Sequence, residues 1–154
     1  MKDVSNFRIA LYHSANVFFI SLIIKSWLIE PLMKALFGTE KLLEILLSPS
    51  WTLIMFVVSI LAIFIGVLFS RWDLHRRQYI IKDKKEIARL SLFVFAGISL
   101  CWNGISFFIV SRAIAIEINI VSAVFDIVIL SLIVYIATLK FIRTTAILPD
   151  KNVQ

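Results

Sequence analysis

WTLIMFVVSILAIFIGVLFS, residues Trp51 to Ser70, contains no charged side chain anywhere along its length. About 20 mostly apolar residues wound as an α-helix rise roughly 30 Å, the thickness of a bilayer's hydrocarbon core. A helix that is apolar on every side has no face for water, so this stretch reads as a membrane span. Outward from it, three further stretches have the required length and composition. Ile9–Ile29 carries His13, Asn16 and Lys25 as polar interruptions, Leu90–Ser111 follows a basic segment, and Ile118–Leu139 holds Asp126. The expectation is an all-α membrane protein of one polytopic domain: four transmembrane helices in two antiparallel hairpins.

Composition agrees with a chain whose solvent is mostly lipid. Of its 154 residues 60% are hydrophobic and 17% charged, with mean hydropathy +0.95. A soluble domain holds about 45–50% apolar residues, so an ordinary soluble enzyme is excluded. Disorder is excluded as well, since it requires low hydrophobicity. Cys101 stands alone, which rules out an internal disulfide and the cysteine relay of a membrane thiol oxidase. The two His and the Cys fall at different depths, so no metal site can be assembled from them. There is no HExxH, GxSxG or P-loop pattern, and four glycines are too few for a phosphate cradle. No catalytic residue, cofactor or metal is expected, and the chain does not read as an enzyme.

Orientation follows from the basic residues. Twelve of the sixteen Lys and Arg fall in the N-terminal tail, the Arg71–Arg89 connection and the tail after the fourth span. Lys25, Lys34, Lys41 and Arg112 fall on the other side. The positive-inside rule then places both termini and the 71–89 loop in the cytoplasm. Trp27 and Trp51 would mark the outer interface and Trp72 the inner one. Lys2 and Arg8 ahead of an apolar run look like a signal peptide. The run is too long, however, and no small-residue cleavage pattern precedes Lys25, so it reads as an uncleaved first span.

The connections have their own character. Pro31 should stop the first helix, after which Leu32–Leu47 mixes Lys34, Lys41 and Glu44 with Leu36, Leu43 and Leu47; positions 34, 41 and 48 fall on one helical face, largely apart from 36, 43 and 47. That pattern reads as an amphipathic segment in the outer interface, or as a plain tether. Between Gly66 and Gly97 there is no Gly or Pro. Helices two and three should therefore extend beyond the membrane and turn near Lys82–Lys85. The basic run there sets topology, with anionic headgroup binding as the next reading. A net charge of +6 suggests nucleic acid in a soluble chain, but no recognition fold surrounds this one. The third connection, Arg112–Glu117, is short enough to demand a tight hairpin.

Small residues form two stripes, Ser59, Ala62, Gly66 and Ser70 on span two and Gly97, Cys101 and Gly104 on span three. Lipid tails are as apolar as Leu, so close approach at small residues is what joins helices. The stripes are expected to face other helices, meeting each other across the inner hairpin, with a homodimer seam as the alternative use. Cys101 reads as a packing residue rather than a nucleophile.

Asp126 is the residue that needs a partner. A carboxylate at mid-span costs roughly 2.5–3.5 kcal/mol on insertion scales. At 1.5 Å per residue it lies roughly 12 Å below the outer end of its span, as does Asn103 in span three, with Lys25 roughly 6 Å below the end of span one. An intramembrane cluster of Asp126, Asn103 and Lys25 is the central expectation. It serves either as a proton or cation relay or as a clasp that sets helix register. His13 reads as an interfacial or interhelical hydrogen bonder, and His75 as a solvated loop residue.

In size and topology, though not through a motif, the chain resembles two bacterial groups. Small multidrug transporters are four-span dimers, but their essential acid lies in the first span, where this chain has none. Colicin immunity proteins and phage or plasmid exclusion proteins are three- or four-span inner-membrane proteins with basic cytoplasmic loops. The second resemblance implies a protein that binds another membrane protein and blocks its insertion or channel. The first implies a dimeric transporter using Asp126. An accessory subunit of a larger membrane complex is a third reading.

Overall fold

The computed structural model describes residues 4–37, 49–110 and 116–144. Helices α1 (Asn6–Phe37), α2 (Pro49–Arg76), α3 (Lys84–Val110) and α4 (Ile116–Val124) are followed by a π-helical stretch, Phe125–Leu130, and by α5 (Ser131–Phe141). The last three run into one another and make the fourth span. Four stretches are long and apolar enough to cross a membrane: Asn6–Leu28, Thr52–Arg76, Lys84–Ser106 and Ile120–Phe141. In hydrocarbon each backbone polar group must be satisfied inside its own segment, which is why such sequences form helices.

The spans form a ring in the order α1, α2, fourth span, α3. Gly66 of α2 abuts the backbone of Val17, and the Tyr12 hydroxyl reaches Asp73, so α1 and α2 run in opposite directions. Phe18 meets Phe95 edge to face at 6.0 Å, and Ser14 bonds to Ser91, so α1 and α3 run the same way. Two apolar clusters fill the bundle. One, near the basic end, gathers Ile9, Ala10, Leu74, Ile81, Ile87 and Ile142. The other, further along, gathers Val17, Phe18, Ile63, Val67, Phe95 and Val134. Many large apolar side chains point outward, as a lipid solvent allows; Trp27 is 79% exposed and Trp72 54%. The Trp51 side chain lies outside the described residues.

Several expectations change here. Pro31 does not end the first helix, which continues to Phe37. Proline removes one backbone donor and crowds the carbonyl four residues back, but membrane helices tolerate that loss where water cannot compete. The amphipathic reading of Leu32–Leu47 falls mostly on residues 38–48, outside the described residues, as does the 111–115 connection. Helices α2 and α3 do extend to Arg76 and from Lys84, but the turn lies at 77–83, earlier than Lys82–Lys85.

The two small-residue stripes do not meet. Ser59, Ala62 and Gly66 are buried, whereas Gly97 and Cys101 are exposed and nothing lies within 4 Å of a Cβ built on Gly97 or Gly104. Two features keep them apart: α2 and α3 lie across the ring rather than side by side, and the stripe on α3 has the wrong helical phase. Ile87, Ser91, Phe95 and Ser99, spaced by four, form the buried face of α3. Residues 97 and 101 are two positions away, on the far side of the helix.

The turn is built from local hydrogen bonds. Gln78 N–H donates to His75 C=O at 3.0 Å and Tyr79 N–H to Leu74 C=O at 3.4 Å, with Gln78 at φ 57°. This is a Schellman closure of α2, with the left-handed position held by a non-glycine residue. Asp83 then caps α3, its Oδ1 accepting from the N–H of Lys85 at 2.8 Å and of Glu86 at 3.2 Å. Gln78→Gly should raise stability by about 1 kcal/mol, because only glycine takes this φ without cost. A thermal midpoint in detergent checks it; an unchanged or lower value refutes the strain.

Candidate functional site

Three polar groupings lie along the bundle interior. The first is at the end away from the basic turn. Lys25 Nζ of α1 is 3.9 Å from Asp126 Oδ1, and Asn103 of α3 lies beside the same carboxylate. Asn103 Nδ2 also donates to its own helix at Ser99 C=O, 2.9 Å away, which holds the amide in place. The structure thus brings Lys25, Asn103 and Asp126 together from three spans. Asp126 sits in the π-helical stretch. Such turns are rare and concentrate at functional sites. The stacked rings of Phe56 and Phe125, 3.9 Å apart, lie beside it. The ammonium offsets the charge of the carboxylate, and the amide accommodates either protonation state, so the group can hold a proton or fix the register of three helices.

The second grouping is central and fully enclosed. His13, Ser14, Ser70, Ser91 and Thr138 have no exposed surface. The Thr138 hydroxyl donates to Val134 C=O at 2.6 Å, so it accepts from His13 Nε2, 2.9 Å away. That tautomer leaves His13 Nδ1 as an acceptor for the Ser70 hydroxyl at 2.7 Å. One imidazole therefore joins α1, α2 and α5. Ser14 Oγ donates to Ser91 C=O at 3.2 Å, which ties α3 to the same level. The Ser91 hydroxyl has no partner among the described residues.

The third grouping is at the basic end. Tyr12 O–H and Asn16 Nδ2 of α1 donate to Asp73 Oδ2 of α2, the latter at 3.5 Å. Arg77 Nε donates to both carboxylate oxygens at 3.1 and 3.3 Å, and its guanidinium lies 4.7 Å from the Tyr12 ring centre. Asn6 Nδ2 donates to Glu86 Oε2, joining α1 to α3.

No family model, curated protein or solved structure matches this chain. What it does must therefore be argued from its own groups.

Sequence reasoning found the Lys25, Asn103 and Asp126 level and gave His13 an interhelical bond. It missed the Asp73 cluster, although Tyr12 with Asn16 and Asp73 with Arg77 are each four apart on a helix. It also missed the π-helical stretch, for which FDIVIL carries no recognisable signal. Cys101, expected inside the packing, is on the outer surface of α3. No group of three or more His, Cys, Asp or Glu among the described residues could hold a metal ion.

Proposed function

We propose that the protein acts by binding another membrane protein along the outer face of α3. The observation that carries this reading is the outward stripe of Gly97, Cys101 and Gly104, with open space where side chains would stand. Exposed Phe93, Leu100, Trp102 and Ile105 flank it. Small residues gain nothing from lipid, but they let a second helix approach closely, and the flanking bulk supplies contact area. On this reading the chain sits in a bacterial inner membrane with cytoplasmic termini. It works as an immunity or exclusion protein, occupying the helix surface by which a bacteriocin, phage or plasmid component inserts or opens. An accessory subunit would use the same face on a resident partner.

A second reading, a small dimeric proton- or cation-coupled transporter, draws support from the π-helical turn at Asp126 and its Lys25 partner.

Cys101 permits one experiment for both. A membrane-permeant reagent carrying a maleimide for Cys101 and a photoreactive diazirine, applied to native membranes and illuminated, should link Cys101 to a different membrane protein, identified by mass spectrometry. Gly97→Leu with Gly104→Leu should abolish the product at unchanged membrane levels, and Asp126→Asn should leave it and the biological activity intact. A crosslink to a second copy alone, with activity lost in Asp126→Asn, would instead establish the transporter. Crosslinking indifferent to Gly97 and Gly104 would refute docking on α3.

A further inference from the structure

At the basic end, between the last turns of α2, the 77–83 turn and the residues after α5, there is a cavity of about 480 Å³. Arg71, His75 and Arg143 line it, together with Trp72 and Tyr79, over apolar walls from Leu68, Leu74, Ile81 and Ile142. We propose that this cavity binds the phosphate group of an anionic amphiphile, with the headgroup on the two guanidinium groups and the acyl chain along α2.

The charge is specific to the cavity. Leu68, Arg71, Trp72 and His75 recur at helical spacing on one face of α2, while Asp73 and Arg77, paired with each other, turn toward Tyr12 of α1. Arg76 lies over the Trp72 ring at 5.6 Å. No carboxylate is among the described lining residues. Arg71 and Arg143, distant from each other in the sequence, thus line one concavity. Its apolar walls strengthen their common field, and planar, multi-donor guanidinium is suited to phosphate oxygens.

A lipid is favoured as the source of the phosphate by the way the cavity opens. Leu68 and Trp72 are both exposed, and they continue into Leu61, Phe64, Ile65 and Phe69, the outward apolar surface of α2. An indole at the rim suits the headgroup level of a bilayer. A free phosphate would use the arginines but not this adjoining surface. An acyl chain would use both.

The test is native mass spectrometry of the full-length protein in detergent, titrated with phosphatidylglycerol, phosphatidylcholine or inorganic phosphate. Phosphatidylglycerol should be retained as a one-to-one adduct in preference to phosphatidylcholine. Arg71→Gln with Arg143→Gln should weaken its retention about tenfold or more, since each basic residue contributes separately to anionic lipid binding. The exposed pair Lys85→Gln with Arg89→Gln, outside the cavity, should leave retention unchanged, and circular dichroism of both double variants should match the parent. If inorganic phosphate displaces the lipid at comparable concentration, the phosphate chemistry stands and the lipid source is rejected. Equal retention of both lipids, or equal loss in the two double variants, overturns the site, because binding would then reflect diffuse charge.

Discussion

His13→Ala should destabilise the bundle by about 3 kcal/mol, from the cavity left by a large buried side chain and the loss of two interhelical hydrogen bonds. The ring is fully buried and accepts from Ser70 while donating to Thr138. Truncation opens a hole between the two apolar clusters and removes the hydrogen bond that joins α1 to α5 at that level. The hydroxyl groups fare differently. Thr138 keeps its bond to Val134 C=O, so it loses little beyond a partner, whereas Ser70 must find a new acceptor. Thr138→Val and Ser70→Ala should accordingly cost less than His13→Ala, about 0.5–1.5 kcal/mol each, the range seen for interhelical hydrogen bonds in membranes. Unfolding by SDS in mixed micelles, followed by circular dichroism, measures all three. If His13→Ala matched Ser70→Ala, the imidazole would not be a clasp of three helices.

That central layer also shows where a membrane sequence can be read and where it cannot. The spans were legible because hydrocarbon imposes a length and forbids charge, and Trp51–Ser70 meets both conditions without ambiguity. Depth was legible for the same reason. A carboxylate at Asp126 is costly enough to require partners, and a rise of 1.5 Å per residue nominates Asn103 and Lys25 at nearby levels. Azimuth was legible for α2, whose small-residue stripe is buried as expected, but not for α3. In water, the side of a helix that carries Leu and Phe is the inside. In lipid the outside is equally apolar: exposed Phe93, Leu100 and Ile105 on α3 resemble buried Ile87 and Phe95. The phase of α3 follows instead from Ser91 and Ser99, which are spaced by eight around Phe95 and face inward, where Ser14 meets the backbone at Ser91. On α3, polar residues of low cost, rather than the small stripe, marked the buried face. The same signal, followed to the helix ends, leads to Ser70 and then Asp73 on α2. Reading only the cations of the basic loop concealed that carboxylate.

Glycine is where this ambiguity has its largest consequence. Gly66→Leu should prevent assembly of the bundle, and Gly66→Ala should cost about 1–3 kcal/mol, the usual range for overpacking. Gly97→Ala should change stability by less than about 0.5 kcal/mol, as for substitutions away from packed features. In sequence the two glycines are alike, each set in an apolar span among small residues at three- and four-residue spacing. A Cβ on Gly66 would stand 3.0 Å from the Val17 carbonyl oxygen and 3.1 Å from its Cα. Both are backbone atoms, so no rotamer change relieves the contact, and α1 itself must move. The His13 and Tyr12 bonds to α2 resist that movement on the same helix. Alanine's advantage in helix propensity, about 1 kcal/mol over glycine, offsets part of the cost without reversing its sign. On Gly97 the added methyl meets nothing within 4 Å, so only the propensity gain and its lipid contacts remain. The comparison needs membrane levels and SDS unfolding midpoints for the three variants. Equal tolerance at 66 and 97 would mean that α1 and α2 are not in backbone contact. Intolerance at 97 in the isolated protein would mean that the outer face of α3 is already occupied by a second copy, and the docking proposal would then become one of self-association.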